Sequence, residues 1–139
     1  MKLHLKATAE AINQRPVKTL ANALGIEITE ITEDYIAGRM PVDHRTHQPM
    51  GILHGGASVA FAETLGSIGG WLALPDDNHY CVGLDINANH IRSVKEGYVY
   101  GKALPLHLGK STQVWEIKIT NQEGKLVCIS RLTLAVLKI

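Results

Sequence analysis

The sequence predicts an α+β fold in which one long central helix packs against an antiparallel sheet. Residues 57–74 lose the two-residue alternation of a strand and carry the apolar spacing of a helix. Short alternating segments lie on both sides of this helix, and their connections are too short for parallel crossovers. With 139 residues, 45% of them hydrophobic and 19% charged, the chain has the size and balance of one domain spanning 1–139.

The elements before the helix are short. Residues 8–24 predict helical turns broken near Pro16, and Gly25 provides a stop. Residues 26–42 predict two β segments joined by a tight turn at "EDY". A polar loop with proline then leads into His54-Gly55-Gly56.

The segments after the helix predict three or four more strands, so the sheet has five or six in all. The first of these strands, "CVGLDINANHIR", predicts a half-buried strand with Val82, Leu84, Ile86 and Ala88 on one face and Asp85, Asn87 and Asn89 on the other. In "STQVWEIKIT" the apolar residues are Trp115, Ile117 and Ile119, and "NQEG" predicts a hairpin turn.

The central helix is apolar on nearly every side, which predicts that the sheet wraps around it. One stripe of small and polar residues differs, and its three- and four-residue spacing predicts a face that a ligand or another element approaches closely: Gly56, Ala60, Glu63, Gly66, Ser67 and Gly70. Close packing on the sheet explains the glycines equally well.

Glu63 is the unusual residue of this stripe. Carboxylates are rare in buried helices unless they are paired, and the neighbouring helical turns carry no lysine or arginine. Glu63 is therefore a candidate catalytic acid or base, although a basic partner distant in sequence is an alternative.

The start of the helix predicts an oxyanion-binding site. Gly55 and Gly56 allow close backbone approach, and the first N–H groups of a helix lack intrahelical partners at the positive end of its dipole. Gln48 and His54 add side-chain donors that can hold a carbonyl group.

Gly55 and Glu63 cannot serve one carbonyl from a single chain, because eight helical residues span about 12 Å. If two helices lie antiparallel in a symmetric dimer, the start of one meets the middle of the other. The sequence therefore predicts an obligate homodimer with two shared sites.

Composition narrows the class of function further. A net charge of +1 gives no long-range electrostatic attraction to nucleic acid. Cys81 and Cys128 belong to no cysteine motif, as expected for two reduced thiols. The N-terminal residues lack a signal-peptide pattern and no apolar run is long enough for a membrane span, so we expect a cytoplasmic protein that has no membrane partner.

The segments "HQPMGILHGGASVAFAETLGS", "VGLDINANHIR" and "PLHLGKSTQVWEIKI" resemble the hotdog-fold acyl-CoA thioesterases. The resemblance is closest to the small bacterial branch that includes 1,4-dihydroxy-2-naphthoyl-CoA thioesterases of menaquinone biosynthesis and enterobactin proofreading enzymes. It implies a helix wrapped by a sheet, dimers formed by continuous sheet pairing, and a tetramer built from two dimers. The implied substrate is an acyl-CoA or acyl-carrier-protein thioester, with coenzyme A as part of the substrate and no cofactor.

The resemblance also assigns roles by position. Glu63 is the nucleophile or general base, the Gly55 N–H polarises the thioester carbonyl, Gln48 and His54 position it, and Ser67 holds the acid or the water. Met50, where relatives often have an aromatic residue, lies beside the acyl group, together with Gly56. The positions that approach the nucleotide and phosphates of coenzyme A are His90, Arg92, Gly109, Lys110 and Ser111.

Three alternatives remain at this point. A hotdog dehydratase or hydratase also uses a histidine and an acid at a dimer interface, and a non-catalytic acyl-CoA-binding regulator shares the fold. A metal site at His44, His47 and His54 is disfavoured, because Glu63 does not complete a regular set of ligands.

Overall fold

The computed structural model describes residues 2–139. Its helices are α1 (Ala9–Asn13), α2 (Leu20–Leu24) and α3 (Gly55–Leu72). Its strands are β1 (Glu27–Ile31), β2 (Ile36–Val42), β3 (His79–His90), β4 (Gly97–Leu108), β5 (Thr112–Thr120) and β6 (Leu126–Lys138).

The six strands form one antiparallel sheet in the order β1-β2-β4-β5-β6-β3, and α3 packs on one of its faces. This confirms the predicted fold class. The order leaves β3, one of the longer strands, at an edge of the sheet, with one side of its backbone unpaired by any strand of residues 2–139.

The N-terminal elements follow the predicted signals. Thr19 caps the start of α2 by accepting a hydrogen bond from the Asn22 N–H, and Gly25 ends it with φ +74°, a conformation that favours glycine. Pro16 lies between α1 and α2, as predicted. Both cysteines are free thiols, with Cys128 buried and Cys81 half-buried.

The core between α3 and the sheet confirms the alternation read in β5. Trp115, Ile117 and Ile119 are each fully buried. The Trp115 indole N–H donates to Gln113 Oε1 at 2.9 Å, and the Gln113 amide donates to the Gly70 carbonyl at 3.3 Å, so these buried polar groups have partners.

The glycines of α3 serve packing on the sheet, which corrects the idea that the whole small-residue stripe forms a ligand-approach face. A Cβ at Gly66 would lie 2.5 Å from Leu132, a Cβ at Gly69 would lie 2.7 Å from the Trp115 ring, and one at Gly70 would collide with Leu134. Contacts this short are not tolerated, so these glycines let the helix backbone lie against the sheet.

The sheet curves around α3 as predicted, because β2, β3, β4, β5 and β6 all contact the helix. One stripe of the helix is less buried than the positions packed on the core, since Gly56 is exposed and Ala60, Glu63, Ser67 and Trp71 are half-buried. These five residues follow three- and four-residue spacings, so they form one continuous, partly exposed stripe. Of the stripe that the sequence predicts, Gly56, Ala60, Glu63 and Ser67 are accessible to a ligand or another chain.

The predicted faces of β3 are also wrong in part. Cys81 lies against Gly70, Gly83 lies against Glu63, and Val82 and Leu84 are 43% and 61% exposed on the other face. A β-bulge between Gly83 and Asp85 adds one residue, so Ile86 and Ala88 turn back toward the core. Because side chains alternate with a period of two, one extra residue moves every later side chain of the strand to the other face of the sheet.

No helix within residues 2–139 is long and apolar enough to cross a membrane.

Candidate active site

His54 caps the start of α3 and thereby fixes the geometry of the glycines. Its backbone is extended, with φ −70° and ψ 130°, and its Nδ1 accepts a hydrogen bond from the Gly56 N–H at 2.7 Å. Since Nδ1 accepts, the neutral ring carries its proton on Nε2. His54 is exposed and therefore presents a donor to whatever binds beside the helix start.

Gly55 supplies the free donor of the first turn. The Ala57 and Ser58 N–H groups both donate to the His54 carbonyl, at 3.0 and 3.2 Å, and the Gly56 N–H donates to the His54 ring. Within residues 2–139 the Gly55 N–H has no acceptor. A free N–H at the positive end of an 18-residue helix favours a developing negative charge.

Glu63 lies two turns further along the same helix and is half-buried. Its carboxylate forms no hydrogen bond or ion pair with any residue of the described range 2–139. It lies against the backbone of β3, where a Cβ on Gly83 would collide with Glu63 Oε2. The acid is therefore held beside the unpaired edge strand and is available to an external partner.

The distance along α3 agrees with the separation expected from the sequence. Gly55 and Glu63 belong to one unbroken helix, so eight residues at 1.5 Å each separate their backbones by about 12 Å. One chain does not bring the free N–H and the free carboxylate together.

Ser67 follows Glu63 by one turn on the partly exposed stripe and is half-buried. Its carbonyl accepts a weak bond from Cys81 Sγ at 4.0 Å, and its hydroxyl makes no bond to Glu63 within the described chain. The hydroxyl is near the acid in sequence and on the same face, and it is free to bind a water or a substrate atom.

Gln48 and Met50 belong to a tight loop before the helix. The Gln48 side-chain oxygen accepts from the Met50 N–H, and its backbone bonds both Ile52 and Gly51. This arrangement leaves the Gln48 NH₂ group as a free donor in a fixed loop. Met50 is 81% exposed, so no residue of its own chain covers the side chain.

Asp43 and Arg45 fix the turn that precedes this loop. Arg45 Nη2 lies 2.7 Å from Asp43 Oδ2, and the Arg45 N–H donates to Asp43 Oδ1 at 2.9 Å. These bonds hold the pKa of Asp43 at about 2, below its ordinary value.

A cavity of about 320 Å³ opens beside Gly55 at the end of β3. The His90 ring lies over Gly55, 3.0 Å from the position of a Cβ there, and Arg92 donates from Nη1 to the Leu126 carbonyl at 2.7 Å. The cavity is lined by Ile52, Leu53, Gly55, Ser58, His90, Ile91, Arg92, Ser93 and Val127. His90 and Arg92 therefore lie together with Gly55, next to the helix start.

Gly109, Lys110 and Ser111 lie at the other end of α3. Gly109 and Lys110 line a cavity of about 450 Å³ with Leu74 and Pro75, which directly follow the helix. The 18 residues of α3 span about 27 Å. Within one chain, Lys110 and Arg92 therefore cannot hold the same coenzyme A phosphates.

The three histidines considered as metal ligands have separate surroundings. His44 is highly exposed, His47 Nε2 bonds the Lys95 carbonyl at 2.8 Å, and His54 binds Gly56. Across residues 2–139 no three His, Cys, Asp or Glu side chains form a group that could hold a metal ion.

Sequence reasoning missed Gly83. Its role depends on contact with Glu63, which is twenty residues away in sequence. The available signal was a glycine inside a strand, which marks a bulge or a close approach.

Comparison with known proteins places the chain in a family. Residues 50–128 match the model of the thioesterase superfamily. The chain is 51% identical over 130 residues to the proofreading thioesterase EntH of Cronobacter turicensis, covering 94% of each protein. It is 48% identical over 132 residues to 1,4-dihydroxy-2-naphthoyl-CoA hydrolase of Escherichia coli, covering 95% of this chain and 96% of that one.

A solved structure shares the whole fold. The crystal structure of a thioesterase from Haemophilus influenzae superposes with a TM-score of 0.94 at 51% identity, covering 99% of this chain and 96% of the other. The protein is thus a thioester hydrolase with the hotdog fold. It belongs to the thioesterase superfamily.

Proposed function

We propose that this protein hydrolyses an acyl-CoA thioester in a site shared by two subunits, with the Gly55 N–H of one subunit and Glu63 of the partner subunit. The observation that carries the proposal is that α3 holds two polar groups without a partner within residues 2–139. Within that described range the Gly55 N–H lacks an acceptor and the Glu63 carboxylate lacks a donor, and about 12 Å of helix separates them.

The edge strand β3 supplies a way to join the two halves. A long unpaired edge is a template for strand pairing, and β3 places Gly83 beside Glu63 and His90 beside Gly55. If two copies of β3 pair antiparallel around a two-fold axis near Ile86, Glu63 of each subunit approaches Gly55 of the partner subunit.

The reaction follows from the charges at this shared site. Gly55 donates to the thioester carbonyl oxygen and stabilises the oxyanion as the tetrahedral intermediate forms. Glu63 either removes a proton from the attacking water or attacks the carbonyl carbon itself. Collapse of the intermediate breaks the C–S bond, the sulfur leaves as coenzyme A thiol after protonation, and one water is consumed in forming the free acid.

The coenzyme A part of the substrate fits the cavity at His90 and Arg92. In the antiparallel dimer, β3 of the partner subunit runs past this cavity, and its first residues lie near the partner subunit's Lys110. A nucleotide with several phosphates can then contact Arg92 and Lys110 of the partner subunit, which one chain alone cannot achieve.

For the acyl group we propose an aromatic or medium-length acyl, with 1,4-dihydroxy-2-naphthoyl as the first compound to test. The names of the relatives from Escherichia coli and Cronobacter turicensis support aromatic and proofreading thioesters as the starting panel. An acyl-carrier-protein thioester is the second substrate class on that panel.

A tetramer of two such dimers is supported by the outer face of the sheet. Tyr80, Val82, Leu84 and Leu137 are each 39% exposed or more, and Tyr80 pairs with Leu137 across β3 and β6. They lie on the face opposite α3, since the intervening Cys81 and Gly83 contact the helix. An apolar patch of this kind favours burial against another copy.

The decisive substitution is Glu63→Gln. It keeps the size and shape of the side chain and removes the base, so kcat should fall at least a hundredfold while substrate binding persists. Glu123→Gln is the matched control, because Glu123 lies in the exposed turn between β5 and β6, where its carboxylate pairs with Lys125 far from the proposed site. A loss of less than tenfold in Glu63→Gln would remove Glu63 from the reaction.

The same panel of acyl-CoA substrates distinguishes hydrolysis from the alternative functions. A dehydratase or hydratase would change enoyl- or hydroxyacyl-CoA without releasing thiol, and a regulator would bind acyl-CoA without turnover. Membership of the thioesterase superfamily supports release of free thiol, which a thiol-reactive dye measures directly.

A further inference from the structure

A second cavity borders the helix start on the side away from His90 and Arg92. It has a volume of about 260 Å³ and lies between α2 and the first two turns of α3. Its apolar walls are Leu20 and Leu24 of α2 and Ala57 and Ala60 of α3, and His54 and Gly56 form its inner edge. It therefore opens directly beside the proposed oxyanion donor, with the coenzyme A cavity on the opposite side.

The Arg45 and His47 side chains that line this cavity already have partners. Arg45 is bound by Asp43 at 2.7 Å, and the His47 ring is bound to the Lys95 carbonyl at 2.8 Å. The Thr46 hydroxyl donates to the Pro41 carbonyl at 2.7 Å, and the Nε2 of the exposed His54 makes no hydrogen bond within residues 2–139. An interior that is apolar, with paired charges and one free donor at its inner edge, suits an uncharged acyl group whose carbonyl lies at the helix start.

We propose that this cavity is the acyl subsite and that Leu20 of α2 limits the length of acyl group it accepts. Leu20 is 62% exposed, far more than a residue needed only for packing, and it lines the same cavity as Ala60. The residues of α2 lie outside the segment 50–128 that matches the superfamily model. The outer wall of the subsite therefore comes from a part of the chain that the common family core does not include.

This inference rests on the proposed function, and a binding experiment separates the two. S-alkyl-CoA thioethers cannot be hydrolysed, so their affinity reports the subsite whether or not the reaction assignment is right. In the wild type, each methylene buried in the cavity should tighten binding about fourfold, until the cavity is full and the affinity levels off.

The variants change the size of the cavity from its outer wall. Leu20→Trp should bring the plateau at least two methylenes earlier and leave the affinity of the propyl thioether unchanged. Leu20→Ala should move the plateau to longer chains. Val17→Trp is the matched control, because Val17 is also exposed in the same N-terminal segment and does not line the cavity.

Isothermal titration calorimetry with propyl to dodecyl thioethers measures the affinity of each variant as a function of chain length. Far-ultraviolet circular dichroism verifies that each variant is folded. Plateaus of Leu20→Trp and Leu20→Ala that coincide with the wild type overturn the subsite and indicate that another part of the assembly fills the cavity. If the plateaus move as expected while no acyl-CoA is hydrolysed, the subsite stands and the proposed reaction fails.

Discussion

Gly83→Ala should impair catalysis while leaving the fold intact. The new Cβ collides with Glu63 Oε2, and relief of the overlap requires the carboxylate to move. Restoring an ordinary contact displaces the acid by about 1 Å, and a misplacement of ~1 Å at a reacting group can cost about a hundredfold in rate. We therefore expect kcat to fall between tenfold and a hundredfold.

Stability should change little, because the displaced atom is the end of a flexible and half-buried side chain. The free energy of unfolding should stay within about 0.5 kcal/mol of the wild type. Leu104→Ala is the control, since Leu104 is 40% exposed on β4 and lies outside the patch proposed for the tetramer. Steady-state thioester hydrolysis and urea denaturation measure both quantities, and a Gly83→Ala enzyme with kcat within twofold of wild type would refute the placement of Glu63.

Gly69→Ala should instead destabilise the fold, because its Cβ would lie 2.7 Å from the Trp115 ring in a full core. Urea denaturation should show a free energy of unfolding lower by about 1–3 kcal/mol. An unchanged value would mean that the core adapts to the added methyl group. Asp43→Asn should lower the free energy of unfolding by up to about 1 kcal/mol at pH 7. Because Arg45 depresses the folded pKa of Asp43 to about 2, this stabilisation is present above the unfolded pKa near 4 and is lost as the pH falls toward 2, so wild type and variant should converge there. Specific activity should fall on dilution together with the dimer fraction in analytical ultracentrifugation, and constant activity in the monomer would contradict a shared site.

The sequence predicted well those elements whose structure depends on residues that are close together along the chain. The alternation around Trp115 and Ile117 set the buried face of β5, and Gly25 ended α2 through its left-handed backbone. The helix start at His54 also follows from its own residues, because a capping side chain and two glycines act within one turn.

The errors arose where tertiary contacts decide. Alternation placed Leu84 on the same face as Ile86, and the bulge after Gly83 puts them on opposite faces, since period-two patterns do not record an inserted residue. Gly66 and Gly70 share helical spacing with Glu63, yet they face the sheet, and only the positions of Leu132 and Leu134 show this. The cavity at α2 was missed because it joins segments that are distant in sequence.

The shared site is tested most directly by mixing two inactive subunits. Glu63→Gln removes the base, and Gly55→Pro removes the N–H donor at a first helical position that accepts proline, with His54 already extended before it. A heterodimer of the two variants has one site with both defects and one site with both native groups.

Co-expression in equal amounts makes about half of the dimers heterodimers, each with one intact site, so activity should recover to about a quarter of wild type. Each variant alone should stay below about 1% of wild-type activity. If the mixture is as inactive as the separate variants, Gly55 and Glu63 act within one chain or not at all, and the account of a site divided between two subunits is wrong.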